Sequence, residues 1–383
     1  MYKMQVVYPS YYSSFSCSAS ACPDTCCQGW GISIDRDTYG RYMAMGGLMG
    51  AKLRSHIDHR TRRFLLNREG RCVFLDRHGL CGICVDLGED MMCRTCRIYP
   101  RHEESYGDLA EVSLSLSCPT AAELILNLDQ PPVYRTAERR PAHPRASAPG
   151  SAGEELDEDF LCGLLEVRQS MFRLLRRTDM SEEARAGAAL ALAHDGESRL
   201  RRREFAGLRE VCGRYETASG ELLEKKLAPS REMGFQRRQL EEEYLDQLER
   251  LEEISGGWRE LLRAARTSQG RSSVSFQPVT RQGLNLLEYF LYLLYPGAVY
   301  DGDGWSKAGL AMFSLLAVRR LAAGLEREGS EESFEKAFVR AAWLYSRQVE
   351  HSDANLERLE TFVRESRSCA LPQMLACLLG TAG

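Results

Sequence analysis

Phe15-Ser16-Cys17-Ser18-Ala19-Ser20-Ala21-Cys22-Pro23-Asp24-Thr25-Cys26-Cys27-Gln28-Gly29-Trp30 decides how the first third of the chain is read. Three further clusters follow it: Cys72-Val73-Phe74-Leu75-Asp76-Arg77-His78-Gly79-Leu80-Cys81-Gly82-Ile83-Cys84, Cys93-Arg94-Thr95-Cys96, and Ser115-Leu116-Ser117-Cys118-Pro119. Ten of the 14 cysteines therefore lie between Cys17 and Cys118. Thiolates are soft ligands, and sets of four suit zinc or an iron–sulfur cluster. Neighbouring thiolates repel one another, and a cation relieves that repulsion. Between the clusters, short apolar pieces alternate with turn residues, as in Gly31-Ile32-Ser33-Ile34-Asp35. The expectation is an irregular segment with a few short helices and a small hairpin, stabilised by a bound metal.

The ligand pattern leaves the metal open. Cys81-x-x-Cys84 with Cys93-x-x-Cys96 imitates two zinc knuckles, but the gap between them is shorter than in a zinc ribbon. The adjacent pair Cys26-Cys27 also points away from a simple ribbon, because neighbouring side chains leave the backbone in different directions. Cys162, Cys212, Cys369 and Cys377 stand alone in helical stretches and read as core residues.

Composition narrows the setting. The 383 residues suffice for one large domain or two ordinary ones, and 44% of them are apolar, enough for a substantial core. A net charge of −4 gives no general case for a nucleic-acid partner, and the basic run Arg199 to Arg203 reads as a solvated helix face. Met1-Tyr2-Lys3-Met4-Gln5 has no apolar signal-peptide core, and no stretch reads as a membrane span. The longest apolar run, Leu284 to Val299, holds Asn285, Glu288 and Pro296 and reads as a buried helix. A cytoplasmic location is expected, where clustered cysteines bind metal or do redox chemistry rather than form disulfides.

The expected fold class is mainly α: an irregular cysteine-rich metal-binding N-terminal region followed by a helical domain. Residues 1–130 form the first, 131–156 a Pro/Gly/Ser-rich linker or loop, and 157–383 the second. The linker is marked by Gln130-Pro131-Pro132 and by the run from Arg140 to Ser151. Leu161, Leu164, Leu165, Arg168, Met171, Phe172 and Leu175 recur at helical spacing, and Ser181-Glu182-Glu183 looks like a cap followed by first-turn acids. Further helices fit Gln239 to Ile254, Leu284 to Tyr295, Trp305 to Glu328, Ser333 to Val349 and Asn355 to Arg367; Ser273-Val274-Ser275-Phe276 is the best strand candidate.

These residues resemble the bacterial flagellin lysine-N-methylase family. The shared pattern is Phe15-x-Cys17, Cys22-x-Asp24-x-Cys26-Cys27-x-Gly29-Trp30, Cys72-x-x-Leu75-Asp76 with Leu80-Cys81, Cys96-x-x-Tyr99-Pro100-Arg101, and Ser113-Leu114-Ser115-Leu116-x-Cys118-Pro119. Weaker matches are Glu288 to Pro296, and His351-Ser352 with Asn355-Leu356. The resemblance implies methyl transfer from S-adenosylmethionine to lysine ε-amines of flagellin, with an iron–sulfur cluster, of 4Fe-4S type, on Cys17, Cys22, Cys26, Cys27, Cys72, Cys81, Cys96 and Cys118. Cys84 and Cys93 are extra to the family pattern.

Asp24, Tyr99 and Arg101 lie beside these cysteines and are the candidates for touching the donor, Arg101 by pairing with its carboxylate. The alternative is that they orient the ligands. His351, with Glu350 and Asp353 nearby, reads as a lone surface histidine. Gly302-Asp303-Gly304 follows no strand and lacks a third glycine, so no dinucleotide-type loop is expected. A Cys-x-x-x-Cys-x-x-Cys triad is missing too, since Cys22-x-x-x-Cys26 runs straight into Cys27. No catalytic residue emerges from spacing. The competing expectation is a metal-binding protein without activity, whose helical half docks a partner.

Overall fold

A computed structural model describes residues 4–139, 156–254, 256–267, 278–326 and 333–380. Those residues are mainly helical, as expected. The first 139 residues are less irregular than their composition suggests. Six strands form there among the described residues: β1 (Met4–Pro9), β2 (Ile57–Asp58), β3 (Arg63–Phe64), β4 (Arg101–Tyr106), β5 (Leu109–Leu114) and β6 (Tyr134–Arg139). β2 and β3 make the small hairpin, while the other four build one sheet in the order β4-β5-β1-β6. β1 runs parallel to β5 and antiparallel to β6. β4 and β5 are joined through Gly107 at φ 63°, a backbone angle that favours glycine.

The strands were hidden for a physical reason. β4 and β6 read Arg-His-Glu-Glu-Ser-Tyr and Tyr-Arg-Thr-Ala-Glu-Arg, sequences of the polar kind that protects sheet edges. β6 falls inside the span expected to be a linker, yet it pairs with β1 from Met4↔Arg139 to Pro9↔Tyr134. The run Arg140 to Ser151 and the strand candidate Ser273 to Phe276 lie outside the described residues.

Two cores result. The larger joins Tyr11, Phe15, Leu114, Leu116 and Cys118 to the helices that follow, so it crosses the expected boundary at residue 130. The smaller holds Ile32, Tyr42, Leu53, Phe64, Cys72, Phe74 and Cys93. Between β1 and β4 the chain thus makes an excursion with a core of its own.

The expected helices form with small changes at their ends. Glu182–Arg201 is capped by Ser181, whose Oγ accepts from the Ala184 N–H at 3.3 Å. Arg281–Leu294, Phe334–Glu350 and Trp258–Thr267 surround the central helix Gly304–Leu325. That helix is long and apolar enough to cross a membrane, which was not expected, but it is wholly buried in the protein and serves as its core. Gly324 lets Trp258–Thr267 approach: a Cβ there would lie 2.6 Å from the Ala265 backbone nitrogen. The sheet is tied to Glu158–Leu175 by a buried pair, Arg168 Nη1 and Nη2 donating to Glu111 Oε2 and Oε1 at 2.7 and 2.5 Å.

Candidate functional site

The excursion carries nine of the ten clustered cysteines, Cys118 alone lying beyond it at the start of the helix Pro119–Leu126. Cys26 and Cys27 share a loop that the Cys72 N–H bonds at the Cys27 carbonyl, 2.7 Å away. Cys81 and Cys93 each stand immediately before a short helix, Gly82–Leu87 and Arg94–Ile98. The thiols of Cys26, Cys27, Cys72, Cys81, Cys93 and Cys96 lie within electrostatic reach of one another. The Cys26 thiol is pushed up chiefly by its bond to Cys27, and burial pushes Cys72 up to about 11. Cys93 and Cys96 share a hydrogen bond that lowers Cys93 and raises Cys96. Cys118 is buried on the larger core and pushed up to about 11 by that burial, with Cys22 and Cys26 in reach. Cys17 is exposed.

Six thiols gathered from four segments fit a soft metal in kind. In geometry the group is not closed: among the described residues, no three Cys, His, Asp or Glu side chains converge tightly enough to hold an ion. Of the two extra cysteines, Cys93 is fully buried inside the group and Cys84 is half-buried beside Cys81. Cys212, Cys369 and Cys377 are buried as expected, but Cys162 is exposed, because it faces away from the core side of its helix.

A cleft of about 580 Å³ opens where the excursion meets the helical half. One wall is Trp30, Tyr99 and Arg101, and the other includes Phe290, Glu350 and His351. Trp30 is fixed by its indole N–H, which donates to the Cys26 carbonyl at 2.9 Å. The Tyr99 hydroxyl is 2.9 Å from Ser117 Oγ, and burial holds its pKa well above the ordinary range. His351 ends the helix Phe334–Glu350, and its ring turns onto Trp30, 4.6 Å between centroids, and Tyr99, 5.9 Å. Burial, aided by Arg347, lowers its pKa to about 4. The expected surface histidine is therefore a neutral ring in the cleft wall, and its sequence neighbours Glu350 and Asp353 line the same cleft.

Glu350 lies in the same cleft. Its Oε2 accepts from Ser115 Oγ at 2.6 Å and Tyr289 OH at 3.0 Å. Burial raises its pKa above the usual carboxylate range. Arg347, one turn back, joins the two halves. It donates to Asp24 Oδ2 at 2.6 Å and to the carbonyls of Ser117 and Thr25 at 3.1 and 3.2 Å. Asp24 is thus engaged as an anchor for the loop that carries Cys22 and Cys26, and does not line the cleft. Tyr99 and Arg101 do line it. The Arg101 guanidinium sits 5.2 Å from the centre of the Phe15 ring and has no carboxylate partner among the described residues. Asp303, of Gly302-Asp303-Gly304, caps the central helix by accepting from the Ser306 N–H at 3.0 Å, a structural duty.

Sequence reasoning gave no role to Ser115, Tyr289 or Arg347, and noted Glu350 only as a neighbour of His351. Ser115 and Tyr289 did fall inside the shared segments Ser113 to Pro119 and Glu288 to Pro296, but nothing in spacing said that they meet at Glu350.

A profile of the FliB lysine N-methylase C-terminal domain matches residues 168–377. The Salmonella muenchen flagellar biosynthetic protein FliU is 33% identical over 135 residues, 33% of this chain and 80% of that protein. Lysine-N-methylases of Salmonella typhimurium and Salmonella choleraesuis are each 34% identical over 135 residues, again 33% of this chain. The match spans 34% of the length of each of those two relatives. No solved structure matches.

Proposed function

The chain belongs to the FliB lysine N-methylase family, and from that membership we propose that it methylates lysine side chains of flagellin with S-adenosylmethionine as donor. The carrying observation is the cleft, whose walls come from the cysteine-bearing excursion and strand β4 on one side and from the family-matched helices on the other. Flagellin as substrate is supported by the resemblance of the cysteine motifs and by the flagellar name of one relative.

In this reading Arg101 meets the donor's carboxylate from the cleft wall, where it has no internal acid to satisfy. Tyr99 lines the pocket beside it and links it, through Ser117, to the cysteine segment. The walls also reduce the water around the reacting amine. An iron–sulfur cluster belongs to the proposal, held by a set drawn from Cys17, Cys22, Cys26, Cys27, Cys72, Cys81, Cys96 and Cys118. Such a cluster, when bound, would supply a soft, redox-active centre. Zinc is the second reading, favoured by one observation: Cys93 packs on Cys96, as a knuckle pair would. Free thiols throughout suit a reducing, cytoplasmic setting.

The test is direct. Anaerobically reconstituted protein is incubated with S-adenosylmethionine and flagellin, and lysine-containing peptides are weighed. Mass gains of one methyl are expected; none from fully loaded protein returns the chain to a non-catalytic metal-binding role.

A further inference from the structure

We infer that Glu350 is an ammonium site that seats the ε-amine of the acceptor lysine, with Trp30, Tyr99 and His351 as the wall along its methylene stem. The inference deepens the methyltransferase reading and rests on it for the reaction, though not for the binding.

Glu350 has an unusual environment for a carboxylate. No guanidinium or ammonium pairs with it among the described residues. Arg347, the nearest cation on its own helix, is turned away to Asp24, Thr25 and Ser117. Two hydroxyls, Ser115 and Tyr289, donate to Oε2 and Ser346 lies beside the carboxyl, while Oε1 is shielded from water and makes no hydrogen bond of good geometry. A carboxylate so placed is costly until a cation arrives, and a ligand ammonium supplies one. The wider cleft agrees in sign. Its lining holds Glu104, Asp301, Glu350, Asp353 and Glu360 against Arg101, His102 and Lys307; His102 is 3.5 Å from Glu104, and Lys307 is paired with Asp301 and Glu360 at 2.9 and 2.7 Å.

The aromatic wall fits the rest of a lysine. Trp30, Tyr99 and His351 stand 4.6 to 5.9 Å apart by centroid and are mutually tilted by 34 to 43°, so they form a cup rather than a stack. A cup of rings accepts methylene groups on its faces and attracts a cation at its mouth. His351 does not oppose that cation, because burial keeps it neutral.

The chemistry balances. The lysine ammonium gives one proton to the Glu350 carboxylate and becomes a neutral amine. Its lone pair forms the N–C bond to the methyl group of a methyl sulfonium. The C–S bond breaks and its electron pair goes to sulfur, leaving a thioether and a methylammonium. Glu350 then releases its proton to solvent.

The probes are N-acetyl-lysine methylamide and its norleucine analogue, which keeps the stem and lacks the charge. Calorimetric titration of the full chain should show at least tenfold tighter binding of the lysine probe. Glu350→Gln should erase that preference, and Trp30→Ala should weaken both probes. Equal affinity of the wild type for the two probes overturns the inference, and this comparison needs no variant to fold. So does a correctly folded Glu350→Gln protein that keeps the preference. Methyl transfer to flagellin, run on the same samples, separates the two ideas. Wild-type rates from Glu350→Gln overturn the inference and leave the methyltransferase reading intact. Lysine-selective binding without any transfer does the reverse.

Discussion

Arg347→Met removes the guanidinium that ties the Cys22–Cys26 loop to the helix Phe334–Glu350. Three acceptors lose their donor: Asp24 Oδ2 and the carbonyls of Thr25 and Ser117. Each unsatisfied buried acceptor costs about 1–3 kcal/mol, more for a charge. Asp24 is 22% exposed and regains water, so it contributes at the lower end. Methionine keeps most of the stem packing. The sum is about 3–4 kcal/mol of lost stability, within the range for breaking one side of a largely buried pair. Urea unfolding followed by tryptophan fluorescence measures it, and Asp24→Asn with the double variant completes a thermodynamic cycle. A coupling energy of about 1–2 kcal/mol between positions 24 and 347 is expected. Independent effects, with coupling below about 0.3 kcal/mol, would refute the claim that this pair holds the cysteine loop on the helical half.

Other outcomes follow from the same geometry. Cys26→Ala should lose iron, acid-labile sulfide and colour in anaerobic protein, whereas Cys369→Ala, in the main core, should keep them; zinc in stoichiometric amount without sulfide would overturn the cluster. His351 is held at about 4 in the folded chain against an ordinary value of 6.5, so the unfolded chain takes up the proton first as pH falls. The wild type should therefore match the pH profile of His351→Phe above about pH 6.5 and lose about 2–3 kcal/mol relative to it by pH 4, read from unfolding midpoints across that window. Gly324→Ala drives a methyl group into the Ala265 backbone and should cost about 2–3 kcal/mol, seen as a lowered melting temperature with no change in the probes' ranking at the cleft.

The helical half was legible because its signals are local. Leucines at helical spacing and a serine before two glutamates depend only on near neighbours, and Ser181 does cap its helix. The sheet was not, because β4 and β6 are polar edges whose pairing with β5 and β1 is set by tertiary contact. The cysteine groups were visible as composition, and spacing said that they gather, but not that Cys93 joins the interior of the group while Cys17 stays exposed. Tyr99 and Arg101, singled out because they adjoin a cysteine motif, line the cleft. Glu350, Ser115 and Tyr289 come from three distant segments, and only folding brings them to one carboxyl.

The excursion between β1 and β4 leaves and re-enters the fold at nearly the same place, since the Phe15 carbonyl and the Arg101 guanidinium are 3.5 Å apart. Its ends are thus pinned by a sheet that belongs to the larger core. Such a closed loop with a separate small core can open as a unit while the rest of the chain holds, in the manner of a foldon. Hydrogen exchange should then divide the chain by core rather than by sequence order. Strand β1, although it comes first, should exchange with the slow helices, and the amides from Cys17 to Ile98 should exchange together and faster. Opening of the excursion would remove one wall of the cleft without unfolding the other, which makes the cleft itself a reporter of whether the small core is closed.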